Sequence, residues 1–162
     1  MKLLSFSADI KKELSMLNNL NNKEQVKAEL SGYILGGNYI EENGIGRLVT
    51  ENEDNAYRLN KLLENIQINF KNTKKGKSII IEWDAEKRDV IVDIDIENEE
   101  VKKAVVRGAF LASGSLNEPN KKYHLELLFS TKENANYVFY ILENLHVLHK
   151  ANSTTSTITS LK

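Results

Sequence analysis

Two short stretches set the terms on which this chain can fold. Residues 30–38 read LSGYILGGN and residues 106–114 read VRGAFLASG. Each closes an apolar, helix-periodic segment with small residues. Gly32 and Gly36 stand four apart, as do Gly108 and Ala112, so each helix offers one nearly flat face. Small residues at that spacing let two helix backbones approach closely. We expect Gly32, Gly36, Gly108 and Ala112 to form a helix-pair interface, with the C-terminal helix ends side by side.

The two stretches belong to a longer repeat. Gly32, Ile34 and Leu35 map onto Gly108, Phe110 and Leu111 at an offset of 76. Leu63-Glu64-Asn65 maps onto Leu142-Glu143-Asn144 at an offset of 79. The drift of three residues falls in a hairpin turn, where insertions cost little.

Periodicity supplies the elements between these marks. Ser7 is a favourable N-cap for a first helix with Ile10, Leu14 and Leu17 on one side, and the asparagine-rich 18–22 reads as a linker. A second helix is expected over 23–36, with Val26, Leu30, Tyr33 and Ile34 as its buried stripe. Asn43-Gly44 is a strong hairpin signal between 38–42 and 47–50. A helix over 51–66 leads to a lysine-rich loop (Lys71, Lys74, Lys75, Lys77), then to strands at 78–83 and 89–96. The second of these alternates Val90, Val92, Ile94 and Ile96 with acids. The order then restarts: helix 99–112, strands 115–116 and 123–129 around a turn at Pro119-Asn120, helix 131–145, and two weak strands within 146–162. The expected fold class is therefore α+β, with two pseudo-symmetric αββαββ halves whose sheets form a saddle over a central helix pair. Residues 1–22 hold the first helix and linker, 23–98 the first half and 99–162 the second.

Composition narrows the function. At 162 residues the chain builds one sizeable core or two small halves sharing one. The net charge of −1 gives the whole chain no strong pull toward polyanions. There is no cysteine, which excludes disulfides and thiolate metal sites. No stretch approaches the roughly 20 apolar residues that span a bilayer, so no membrane partner is expected and the cytoplasm is the default location. His146 and His149 lack a third metal ligand, His124 reads as a half-buried structural histidine, and GKS at 76–78 lacks the upstream glycine of a phosphate loop. The acids Asp89, Asp93, Asp95, Glu97, Glu99 and Glu100 read as a solvated edge and helix start. No cofactor or metal is expected.

The stretches SFSADIKKEL, KAELSGYILGGNYI, LVTEN and VRGAFLASGSLNEPNKKYHLEL resemble the WhiA family of bacterial sporulation and cell-division regulators, across about 5–145. Its N-terminal portion is similar to the LAGLIDADG fold of homing endonucleases. In those nucleases the acid ending each motif helix binds divalent metal at the scissile phosphates. Matching the motifs here puts Gly37 and Ser113 at the acid positions, with Glu41, Glu42 and Glu118 the nearest acids. The resemblance thus implies a non-catalytic, DNA-associated regulatory domain serving transcription, cell division, the cell cycle or sporulation, nucleoid-associated when DNA-bound. Arg47, Lys121 and Lys122 are the expected phosphate contacts. It also implies a second half without its closing helix and no C-terminal helix-turn-helix domain, so DNA binding is expected to be weak or to depend on that domain. Gln25-Val26 stand where the family often has paired cysteines. A protein-interaction or dimerisation scaffold that does not touch DNA, possible with a protein partner or a second copy, is the alternative; an active homing endonuclease is the remote one.

Overall fold

The computed structural model describes residues 6–117, 124–145 and 157–160. Its elements run α1 (Phe6–Ser15), α2 (Lys23–Gly36), β1 (Ile40–Glu42), β2 (Ile45–Thr50), α3 (Glu53–Asn65), β3 (Phe70–Lys75), β4 (Ser78–Asp84), α4 (Lys87–Val92), α5 (Glu99–Ser113), β5 (Ser115–Leu116), β6 (Leu125–Phe129), α6 (Lys132–Asn144) and β7 (Thr157–Ser160). The fold is α+β, with β1-β2-β4-β3 forming one sheet and β5-β6-β7 the other.

Local chemistry sets the helix starts, and it repeats. Asn22 accepts from the Gln25 amide at 3.1 Å and Asn98 from the Glu100 amide at 2.9 Å, so α2 and α5 begin 76 residues apart on the same cap. Asn52 and Thr131 cap α3 and α6 in the same way, 79 residues apart. The β1–β2 turn places Asn43 and Gly44 both at positive φ, 53° and 77°, as a two-residue turn of that chemistry requires.

Two apolar cores lie either side of the α2–α5 pair. Leu30, Leu59, Leu62, Leu63, Ile81 and Trp83 centre the first, and Val105, Leu127, Phe129, Val138 and Ile141 the second. Each fully buried side chain of this size contributes about 1.5–3 kcal/mol. Helix α2 serves both cores. Val26, Leu30, Tyr33 and Ile34 enter the first, while Ala28 and Leu35 enter the second. Its burial is therefore nearly all round rather than along one stripe, extending to Glu29, Ser31, Gly32 and Gly36.

Several local expectations are corrected. Residues 71–75 are strand, not loop: Lys71 to Lys75 pair with β4, and only Gly76 (φ 62°) and Lys77 turn the chain. Residues 89–96 do not form a strand. β4 is already paired on both sides by β2 and β3, so no edge is open beside it. The chain instead forms α4, which buries Ile91 completely against α2 and leaves Val90 58% exposed. Ser7 lies inside α1 rather than capping it. Its hydroxyl donates to the Leu116 carbonyl and accepts from the Leu116 amide, at 2.9 and 2.7 Å, tying α1 to β5. Leu17 is exposed, not buried. Within the C-terminal stretch β7 runs parallel to β6, in the slot that β4 fills antiparallel to β2. His146 and His149 lie outside the described residues.

A buried ionic knot was not anticipated. Glu29 on α2 receives Arg58 Nε from α3 at 2.6 Å and Arg58 Nη2 at 3.0 Å, and it also receives Arg107 Nε from α5. Arg58 further donates to the Leu17 carbonyl at 2.7 Å and to Asn19 Oδ1. Glu29 and Arg58 are each 1% exposed. The knot fastens the α1–α2 connection, α3 and α5 to one carboxylate.

Candidate functional site at the paired helix ends

The helix pair is closed by glycine. A methyl group placed on Gly108 would overlap the Glu29 carbonyl and lie 3.0 Å from Gly32 Cα; one on Gly32 would overlap the Val105 carbonyl and lie 2.7 Å from the Ala109 nitrogen. Gly36 rests on Ala109, at 3.0 Å from its Cα by the same measure. Ala112 faces Gly37 instead. Backbone thus lies directly on backbone where the helices cross, a geometry only residues without Cβ permit.

Just beyond the crossing, the halves exchange side-chain amides. Asn55, in the first turn of α3, donates to the Leu111 carbonyl of α5. Asn134, in the first turn of α6, donates to the Leu35 carbonyl of α2 at 3.3 Å. The donors stand 79 apart and the acceptors 76 apart, so the pair obeys the internal repeat. Both acceptors are terminal-turn carbonyls with no intrahelical donor. The signal was present in the sequence, two Asn residues each three beyond a helix cap, but their reach across the pseudo-twofold was not. Asn55→Ala is expected to lower stability by about 1–3 kcal/mol, and half-exposed Asn134→Ala by about 0.5–1.5, in urea unfolding.

The helix ends carry no carboxylate. Gly37 closes α2, its amide donating to the Tyr33 carbonyl at 2.9 Å. Ser113 ends α5, and its hydroxyl donates to the Leu128 carbonyl at 2.7 Å. Glu41 is engaged elsewhere, accepting from the Tyr39 hydroxyl at 2.9 Å and facing Arg88 at 3.6 Å, while Glu42 is exposed. Glu118, Lys121, Lys122 and the Pro119-Asn120 turn lie outside the described residues. Among the described residues no group of three or more His, Asp or Glu side chains is placed to hold a metal ion. Between the helix ends lies a cavity of about 430 Å³, bounded by residues of both halves. Burial, and then the negative charge of Glu29, push the Tyr33 hydroxyl on its wall well above the ordinary phenol range, so it stays protonated.

The sheet face turned away from the helices is mixed in charge. One cross-strand row runs Ile40, Arg47, Glu82, Lys71. Arg47 Nε and Nη2 both meet Glu82 Oε1 at 2.9 Å, so the arginine expected at phosphate is already paired. Lys71 and Lys75 share this face, whereas Lys74 is turned to the helix side and meets Glu53 at 3.5 Å. Ile40, Ile45 and Val49 are 53, 41 and 39% exposed on the same surface. His124 Nε2 lies 3.8 Å from Glu126, half-buried just before β6 rather than within a strand.

Residues 102–162 match the family model described as the WhiA LAGLIDADG-like domain. The chain carries a WhiA LAGLIDADG-like domain. It is 31% identical over 158 residues to a protein named "Probable cell division protein WhiA" of Staphylococcus haemolyticus, covering 81% of this chain and 49% of that one. The protein of that name from Enterococcus faecalis is 28% identical over 167 residues, covering 86% and 53%. The chain thus spans about half the length of the curated WhiA relatives it matches. Among solved structures, the N-terminal LAGLIDADG domain of WhiA superposes with a TM-score of 0.73 at 22% identity, over 89% of this chain and 77% of that one. The fold extends to I-DmoI, solved in complex with DNA and Mn, at a TM-score of 0.50 and 16% identity over 76% and 79%. No described helix is long and apolar enough to cross a membrane.

Proposed function

We propose that this WhiA LAGLIDADG-like domain is a non-catalytic regulatory module that associates with DNA through the outer face of its first sheet and serves cell division, transcription and sporulation control. The observation that carries the reading is the pair of helix ends, where Gly37 and Ser113 replace anionic ligands. Hard divalent cations need converging carboxylate oxygens, and no such set stands at the crossing among the described residues. The helix pair therefore holds two sheets in a fixed relation and performs no cutting. Lys71 and Lys75 supply phosphate contacts, joined by Lys121 and Lys122, and these contacts position the domain without reading sequence. Arg47 contributes less because Glu82 opposes it. In a titration against random duplex DNA, about four phosphates are neutralised, so log K is expected to fall against log salt with a slope of about −3 to −4. Lys71→Glu with Lys75→Glu removes about half of that slope. Cleavage of the duplex in magnesium, abolished by a chelator, would overturn the reading.

A second reading is favoured by Ile40, Ile45 and Val49, whose exposure on the same face suits a protein surface better than a phosphate backbone. Under it the face docks a protein partner or a second copy, and the same titration finds no binding even at low salt.

A further inference from the structure

We propose that the cavity between the helix ends binds a small uncharged molecule, largely apolar and bearing an N–H or O–H donor. The inference goes beyond the regulatory reading and does not depend on DNA contact. At about 430 Å³ the cavity falls in the range of small-molecule sites. Tyr33, Leu48 and Leu59 from the first half face Leu128 and Phe129 from the second, so an occupant touches both halves. No Lys, Arg, His, Asp or Glu lines the walls, and an ionised ligand would surrender its hydration there without a counter-charge.

Two polar atoms on the wall ask for a donor. Asn55 lines the cavity and is 5% exposed. Its Nδ2 is engaged by the Leu111 carbonyl, while its Oδ1 has no hydrogen-bond partner among the described residues. An amide oxygen left buried without a donor is costly, and nearly all such groups in folded proteins are satisfied by protein, water or ligand. Ser113 Oγ gives its proton to Leu128, which leaves its lone pairs as a second acceptor on the same wall. A donor-bearing aromatic or aliphatic molecule satisfies Asn55 and fills the apolar volume together.

The test follows the methyl resonances of Leu48, Leu59 and Leu128 in the full chain during titration with indole, N-methylindole and indole-3-carboxylate. Indole is expected to shift all three saturably, N-methylindole to bind about tenfold more weakly for want of its donor, and the carboxylate not to bind. Ser130→Trp, at the cavity wall and exposed, is expected to abolish the shifts with an unchanged circular dichroism spectrum; Thr50→Trp, on the helix side of β2, serves if that variant does not fold. Absence of saturable shifts with indole up to its solubility limit overturns the site. Equal affinity for N-methylindole overturns the donor requirement, tight binding of the carboxylate overturns the assignment to uncharged molecules, and shifts that persist in a folded tryptophan variant place the binding elsewhere.

Discussion

Gly108→Ala is expected to lose about 3 kcal/mol or more of stability, enough to leave much of a domain of ordinary stability unfolded. The sign is what makes the measurement informative. Alanine in place of glycine inside a helix ordinarily gains about 0.5–1 kcal/mol, because the unfolded chain has fewer conformations to lose. Here the added methyl would overlap the Glu29 carbonyl, and a backbone atom cannot swing aside as a side chain can. The helices would have to part along the whole crossing, loosening both cores at once. Gly32→Ala meets the Val105 carbonyl on the opposite side of the same contact and is expected to behave alike. The double variant should cost clearly less than the two single losses together, since helices already forced apart by one methyl accommodate the second. Urea unfolding of the three variants decides the matter. A Gly108→Ala protein as stable as the parent would mean that the helices do not cross where the structure puts them.

Glu29→Ala is expected to cost about 3–5 kcal/mol, the second large effect. The carboxylate is the sole anion in a knot whose main cation, Arg58, is 1% exposed. Removing it strands a buried guanidinium beside Arg107, whose Nη2 already has no partner among the described residues. Replacing both partners, as Glu29→Met with Arg58→Met, is expected to recover much of the loss, because desolvation of the pair roughly offsets its attraction while an unpaired buried charge has no compensation. The recovery should be incomplete, since Arg58 also holds the Leu17 carbonyl and Asn19. Amide exchange separates the two contributions. In Glu29→Ala protection should fall across α2, α3 and α5, whereas in the double variant the residual loss should concentrate at 16–22. Single and double variants of equal stability would show that the ion pair contributes little beyond its packing.

Much of the framework was legible before any coordinate. The glycine spacing at 32, 36 and 108, the repeat at offsets of 76 and 79, and the Asn43-Gly44 turn all act within a few residues or along one helix face. So does the absence of an acid at 37 and 113. Where the reading failed, two local patterns competed and a distant neighbour chose between them. The alternation of Val90, Val92, Ile94 and Ile96 is good strand chemistry, yet β4 had no free edge and Ile91 found a place under α2. Lys71 and Lys75 read as loop because lysine is polar, although that strand lies at the sheet edge, exposed along nearly its whole length, and tolerates it.

What the residues alone determined is the list of parts: where helices start on their asparagine or threonine caps, which helices are smooth enough to touch, and that neither motif ends in a carboxylate. Those properties rest on side chains reaching their own backbone, and no distant contact is needed to set them. Tertiary structure decided how the parts were spent. It sent Asn55 and Asn134 across to the opposite half, buried Glu29 under two arginines, paired Arg47 with Glu82, and left an amide oxygen of Asn55 with no donor among the described residues. Each of these pairings joins residues 29 or more positions apart, and the energy of such a contact depends on the burial and geometry that the whole fold imposes.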